Sequence, residues 1–405
     1  MKRTVGKVLD ETVEKFSDKE AVIFENQRIT YKELQHRVNC LARGFLVLGV
    51  KPGEKVSIWM TNHPEWIYSQ LALAKIGAIL TPVNARFKMY ELEYLLTQSD
   101  TTTLIFKDRT QTTDFLEVVR GLCPEVGSGL KGELVASKFP LLKRLICFSP
   151  TQYDGMFSFQ EVMELGDTIA SEEARKVRQD SISPDDILMI QYTSGTTSFP
   201  KGAMLSHSQV IKTCHPLASN LGIGYDDKLY CAVPFFHVVG SLMSIILAFT
   251  KGATLVTNEY FDPETALRTI EREQCTVMHG FETHFLGMWQ HPRFGEFKIR
   301  SLQKGVAGVP PEILRKVYGK IGFKKIVSSY GLSEGSGNTG TTCADDPLEF
   351  KMQWNAKPHE GNEVKIIDIE TGDTLPAGKE GEICVRGFSV MKGYYKMPGE
   401  TAKDL

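Results

Sequence analysis

Between Leu229 and Ser329 short apolar runs alternate with amphipathic stretches, and this alternation limits the folds open to the chain. Strand patterns at Leu229–Val233, 253–257, 276–278, 305–308 and 325–329 are separated by helical patterns at 241–250, from Asp262-Pro263, at 282–290 and at 310–319. Successive βα units of this length imply a parallel sheet wrapped by helices. Earlier segments agree. Thr30 and Glu33 form a capping box that opens a helix ended by Gly49. Strands are expected at 55–60, 102–106, 145–148 and 187–192, with a helix from Pro64 to Ile76. The fold class is therefore α/β. We place one parallel subdomain at 1–185, a second at 186–345 and a β-barrel-like subdomain at 346–405. The last rests on two strand patterns, 363–368 and 381–386, separated by turn residues. Ligands of such sheets bind at the carboxyl ends of strands.

With 405 residues, the chain exceeds one ordinary core. A net charge of −2 gives no electrostatic reason to expect nucleic acid. The eight cysteines are scattered, no two within four residues of each other, which suits neither a zinc finger nor a disulfide scaffold. No apolar run is long enough to span a membrane and no signal segment opens the chain, so a cytoplasmic protein is expected. Whether it forms a homo-oligomer stays open.

One loop stands out. The buried strand ending at Tyr192 runs into Thr193, Ser194, Gly195, Thr196, Thr197 and Ser198, then Phe199, Pro200, Lys201 and Gly202. Small residues, hydroxyls and a lysine can turn N–H groups, O–H groups and a point charge toward phosphate oxygens. The spacing is not that of the NTPase P-loop, which places a lysine and then a hydroxyl directly after its second glycine.

This loop resembles the signature of the adenylate-forming superfamily, which includes acyl-CoA synthetases, adenylation domains and luciferase. Tyr330-Gly-Leu-Ser-Glu334, the segment from Gly381 to Gly387, and Leu73 to Asn84 resemble further motifs of that superfamily in order and spacing. The likeness runs from about Thr30 to Leu405 and is greatest to carboxylate–CoA ligases. It implies that ATP phosphates meet Thr193, Ser194, Gly195, Thr196, Thr197 and Lys201. It places adenine against Gly308, Val309, Pro310, Ser329, Tyr330, Gly331 and Leu332, the α-phosphate on Ser333 and Mg2+ on Glu334. His237 resembles the histidine near the reacting carboxylate, and with Lys201 and Thr196 it is the expected catalytic set. Val309 and Ser328 depart from the usual letters.

The acyl side is read from residue chemistry. Pro234 to Gly240 holds Phe236, His237 and Val238 but no carboxylate to pair with a substrate ammonium. His237, Val238, Val239, Phe281, His284, Phe285 and Ala307 are the expected pocket, mainly apolar. A medium-chain fatty acid or a compact alicyclic or aromatic acid fits that description. The expected reaction joins the acid to ATP, releases pyrophosphate and passes the acyl group to CoA. The alternatives are an aryl-acid adenylation domain serving a carrier protein and a non-catalytic adenylate-binding module. The family's ribose-binding aspartate and lysine-bearing C-terminal domain would follow Leu405, so the expectation is a large N-terminal domain with an incomplete CoA site.

Overall fold

The computed structural model describes residues 3–127, 130–168, 171–193, 199–353 and 356–405. Two seven-stranded sheets form its body. The first runs in the order Phe157–Ser158, Arg144–Phe148, Thr101–Lys107, Lys55–Trp59, Ile79–Pro82, Ile187–Tyr192 and Gly202–Ser206. The second runs Lys325–Val327, Lys304–Gly308, Val277–Phe281, Lys228–Cys231, Thr254–Thr257, Glu20–Phe24 and Gln27–Thr30. Pairing is parallel throughout except for one antiparallel edge strand on each sheet, Gly202–Ser206 and Gln27–Thr30. The α/β class follows directly.

The boundary expected at 185/186 does not divide the sheets. Ile187–Tyr192 and Gly202–Ser206 complete the first sheet, while Glu20–Thr30 completes the second. Hydrophobic burial explains the exchange. One core runs between the sheets and includes Ile58 and Leu80 of the first with Leu229, Leu255 and Val22 of the second. The helices Tyr31–Val47, Pro64–Ile76 and His207–Leu221 contribute Leu41, Trp66 and Leu217 to it. The capping box at Thr30 and Glu33 forms as expected, with both reciprocal bonds.

The C-terminal region also departs from expectation. Among the described residues it forms no closed barrel. It comprises the three-stranded antiparallel sheet Ser329–Tyr330, Gly340–Thr341 and Lys357–Pro358, and the hairpin Asn362–Ile367 with Glu382–Gly387. Both faces of the hairpin are largely solvated, so no apolar interior is available to close around. The chain then returns to the first sheet. Met204 N–H bonds to Gly393 O at 3.0 Å and Tyr395 N–H to Gly202 O at 2.8 Å, laying 392–395 along the outer edge strand.

Candidate nucleotide and acyl site

Cys231, Phe281, Gly308 and Val327 are the carboxyl ends of four parallel strands of the second sheet. The candidate residues gather beyond them and beyond Tyr192 of the first sheet. At the neck of the hydroxyl loop, Thr193 N–H donates to Lys201 O at 3.0 Å and Lys201 N–H to Thr193 Oγ1 at 3.3 Å. Ser194, Gly195, Thr196 and Thr197 lie outside the described residues. Lys201 Nζ reaches Asp404 at 2.8 Å and Glu400 at 3.4 Å, and lies 4.3 Å from the centre of the Tyr394 ring. The Asp404 bond raises its pKa, which keeps it a cation.

Tyr394 joins this lysine to the turn after Tyr330. Its hydroxyl lies 2.7 Å from Glu334 Oε1 and 3.0 Å from Asp404 Oδ2. Burial, reinforced by the hydrogen bond to Glu334, pushes the phenol well above its ordinary value, so it stays neutral and donates. Lys201 and Glu334 therefore stand on two sides of one ring. The turn itself is tight. A Cβ on Gly331 would lie 2.3 Å from Gly337 O, so only glycine fits. Ser333 opens the 3-10 turn Ser333–Gly335, and Ser336 follows with φ +57°. Tyr330 is half-buried and Leu332 exposed, while Ser329 Oγ donates to Asn338 Oδ1 at 3.2 Å.

The histidine turn packs against both. Gln191 Nε2 donates to Phe236 O at 3.2 Å, tying the strand before the loop to Pro234–Gly240. Val238 is buried, and a Cβ on Gly337 would lie 3.1 Å from its Cγ2. His237 Nδ1 accepts from Val239 N–H at 3.2 Å, which leaves the neutral ring's proton on Nε2. Burial, then the neighbouring His284, lowers the His237 pKa. Its ring meets Phe281 edge-on at 5.6 Å, and Phe261 meets His284 at 4.8 Å. His284 Nδ1 accepts from Phe281 N–H at 3.1 Å, and burial lowers its pKa too. The result is an aromatic wall of two neutral imidazoles and two phenyl rings.

Not every expected residue joins. Strand alternation turns Ala307 and Val309 away from Gly308, into the core that the sheet shares with Leu267 and Leu314. Phe285 is also in that core, fully buried against Phe323. Val239 is buried at the rim of the central core. Gly308 and the half-buried Pro310 remain on the site side, and a Cβ on Gly308 would sit 2.8 Å from the Phe281 ring. Sequence reasoning missed Tyr394, Gln191 and Asn338. Gln191 Oε1 and Asn338 Nδ2 are buried with no hydrogen-bond partner among the described residues. The signal for Tyr394 was its place in Gly393-Tyr-Tyr395, but nothing in that string points to Glu334.

The sequence profile of the AMP-binding enzyme family matches residues 9–395. The chain is 35% identical over 407 residues to "Putative acyl-CoA synthetase YngI" of Bacillus subtilis (strain 168), spanning 99% of this chain and 74% of that one. It is 31% identical to the human "Medium-chain acyl-CoA ligase ACSF2, mitochondrial", spanning all of this chain and 67% of the relative. In fold it is similar to the N-terminal domain of FACL13 from Mycobacterium tuberculosis, with TM-score 0.84 and 24% identity over 100% of this chain and 94% of that chain. It is equally similar to the anthranilate CoA ligase AuaEII, with TM-score 0.84 and 21% identity over 99% and 72%. The chain belongs to the AMP-binding enzyme family.

Proposed function

We propose that the chain carries the adenylating site of an acid–thiol ligase, which joins an apolar carboxylic acid to ATP and, in the complete reaction, transfers the acyl group to CoA. The observation that carries this reading is the meeting of a cation, a carboxylate and a neutral aromatic pocket at one sheet end. Lys201 and Glu334 both contact Tyr394, and the ring cluster of His237, Phe281 and His284 is joined to the Glu334 turn where Val238 meets Gly337. The residues present fit the nucleotide. Asn338 Nδ2, beside the Tyr330 turn, is a buried donor with no partner among the described residues, as a ligand acceptor would require. Glu334 offers the oxygen ligand a hard cation prefers, so it would hold Mg2+, which supplies charge neutralisation on the phosphates.

Within this reading, each side chain has a defined task. Tyr330 supplies a flat face for the base. Ser333 donates to the α-phosphate. Lys201, with Thr193 and the loop through Ser194, Gly195, Thr196 and Thr197, neutralises charge as pyrophosphate leaves. His237 keeps its proton on Nε2 and can donate to the carboxylate without adding a competing cation. The lowered His237 and His284 values suit an anionic nucleophile, because no full positive charge holds it back from phosphorus. The absence of a carboxylate in Pro234–Gly240 disfavours α-amino acids. The substrate class proposed is a medium-chain fatty acid or a compact ring acid. The relative named a medium-chain ligase supports the first, and the aromatic wall supports either. A cytoplasmic setting is supported by eight free thiols, and no helix among the described residues is long and apolar enough to cross a membrane.

The test is ATP–pyrophosphate exchange with a panel of straight-chain, alicyclic, aryl and α-amino acids. Exchange with medium-chain or ring acids and none with amino acids is expected. Silence with every acid, alongside intact ATP binding, would instead support a non-catalytic nucleotide module.

A further inference from the structure

Far along the first sheet from this site, the helices Tyr31–Val47 and Phe159–Thr168 cross at very close range. A Cβ on Gly166 would lie 1.8 Å from Cys40 O, and one on Gly44 would lie 2.1 Å from Val162 O. Glycine at both positions lets the backbones touch, and this brings together three side chains of metal-ligating type. His36 and Cys40 stand four residues apart on one face of the first helix, and Asp167 comes from the second.

The geometry around the sulfur is specific. Cys40 Sγ lies 3.7 Å from His36 Nε2, 3.9 Å from His36 Nδ1 and 3.5 Å from Asp167 Oδ1. One ligand atom from each residue falls within 4.8 Å of the others. Zinc–sulfur bonds of about 2.3 Å and zinc–nitrogen or zinc–oxygen bonds of about 2.0–2.2 Å give tetrahedral edges of roughly 3.5 Å. Both edges that meet at the sulfur already have that length to within a few tenths of an ångström. The triad is also reachable. The three residues line a cleft of about 420 Å³ that also carries Glu65, Tyr68 and Glu164, so an ion has an entry path and room for water at a fourth position. Arg43 occupies the ligand atoms in the absence of an ion, and its Nη2 must give way when one binds. Its Nη2 lies 3.4 Å from both Cys40 Sγ and Asp167 Oδ1, while Nε is anchored on Gly166 O at 2.6 Å and Nη1 on Glu172 at 2.8 Å.

We infer that His36, Cys40 and Asp167 form an open three-ligand site for a tetrahedral transition-metal ion of the Zn2+ class. Binding replaces the thiol proton, which leaves to solvent, so that neutral imidazole, thiolate and carboxylate surround the ion with water completing the set. The ion then clips the two helices across their glycine contact. None of these residues takes part in the nucleotide and acyl cluster, so the inference stands apart from the proposed function.

Titration of the tag-free, metal-stripped full chain with Co2+ alone tests it. One equivalent should bind with a thiolate-to-cobalt charge-transfer band and the intense visible bands of tetrahedral cobalt, and Zn2+ should displace it. Cys40→Ser should abolish the charge-transfer band. His36→Asn, at an exposed position, keeps the fold and should weaken Kd at least tenfold. A cobalt complex without the thiolate band, a band that survives Cys40→Ser, or a Kd unchanged in His36→Asn would each overturn the site.

Discussion

His279 is buried, with Nδ1 accepting from Val306 N–H at 3.2 Å, and burial lowers its pKa from 6.5 to about 4. His207, whose Nδ1 accepts from Val5 N–H, is lowered by burial to about 4 in the same way. The folded state thus keeps these rings neutral, while the unfolded chain takes up a proton on each as pH falls below the ordinary value. Their contribution to stability is complete above the unfolded value and is lost progressively as pH falls toward the folded one. His279→Gln, which can still accept from Val306, is expected to flatten unfolding free energy against pH between those two values. The reduction in slope is up to about 1.4 kcal/mol per pH unit, and urea midpoints across that range measure it. Legibility at this scale depended on chemistry. Lys201, His237 and Glu334 could be singled out because each sits in a short motif whose other letters narrow its reading. Ala307, Val309 and Phe285 were misplaced because apolar residues beside a strand end fit either face, and only the register tells them apart. Tyr394 was missed because its partner lies 60 residues away.

Element by element, the long patterns were readable and the short ones were not. Pro64–Ile76, Ile187–Tyr192 and Glu282–Gln290 fall where periodicity and caps put them. Gly202–Ser206 was not recognised, because five residues beginning with glycine carry little strand signal and their pairing partner supplies the rest. Helix 241–250 was expected to be regular, but Ser241–Ile246 is π-helical. In this stretch Ser244 Oγ donates to Val239 O at 2.9 Å, and Ser241 Oγ at 3.2 Å adds to the bond that its own N–H makes to His237 O at 2.9 Å. Just before it, the histidine turn is tightly closed: a Cβ on Gly240 would lie 2.2 Å from Pro234 O and 2.9 Å from Phe235 Cα. Both obstacles are backbone and cannot rotate aside. Gly240→Ala should therefore cost about 1–3 kcal/mol of stability. It should also lower ATP–pyrophosphate exchange by more than tenfold at temperatures where circular dichroism reports an intact fold, because His237 shifts with the turn. Unchanged exchange would mean that the position of His237 does not matter to the chemistry.

For the whole molecule, the exchange of strands between sheets decides how it can come apart. Residues 1–185 lack the two strands that finish the first sheet, and their own Glu20–Thr30 hairpin has its sheet in the other half. That fragment should be unable to form a native core: expressed alone, it is expected to lose near-ultraviolet circular dichroism and to expose apolar surface. The intact chain should melt in one cooperative transition by calorimetry, since a single core spans both sheets. A fragment with dispersed amide proton resonances would show that the first sheet folds on its own.

The same hairpin sets a schedule for biosynthesis. Thr254 Oγ1 donates to Glu20 O across 234 positions of sequence. At roughly 5–20 residues per second, the ribosome takes about ten to fifty seconds to deliver the strand that receives this edge. Through that interval the nascent chain carries Ala21, Val22 and Ile23, all inaccessible in the finished protein, on an unpaired β-ribbon. The vulnerable interval thus lasts until Thr254–Thr257 emerges to pair with this edge, and holding chaperones that bind short apolar β-segments are the factors on which its yield should depend.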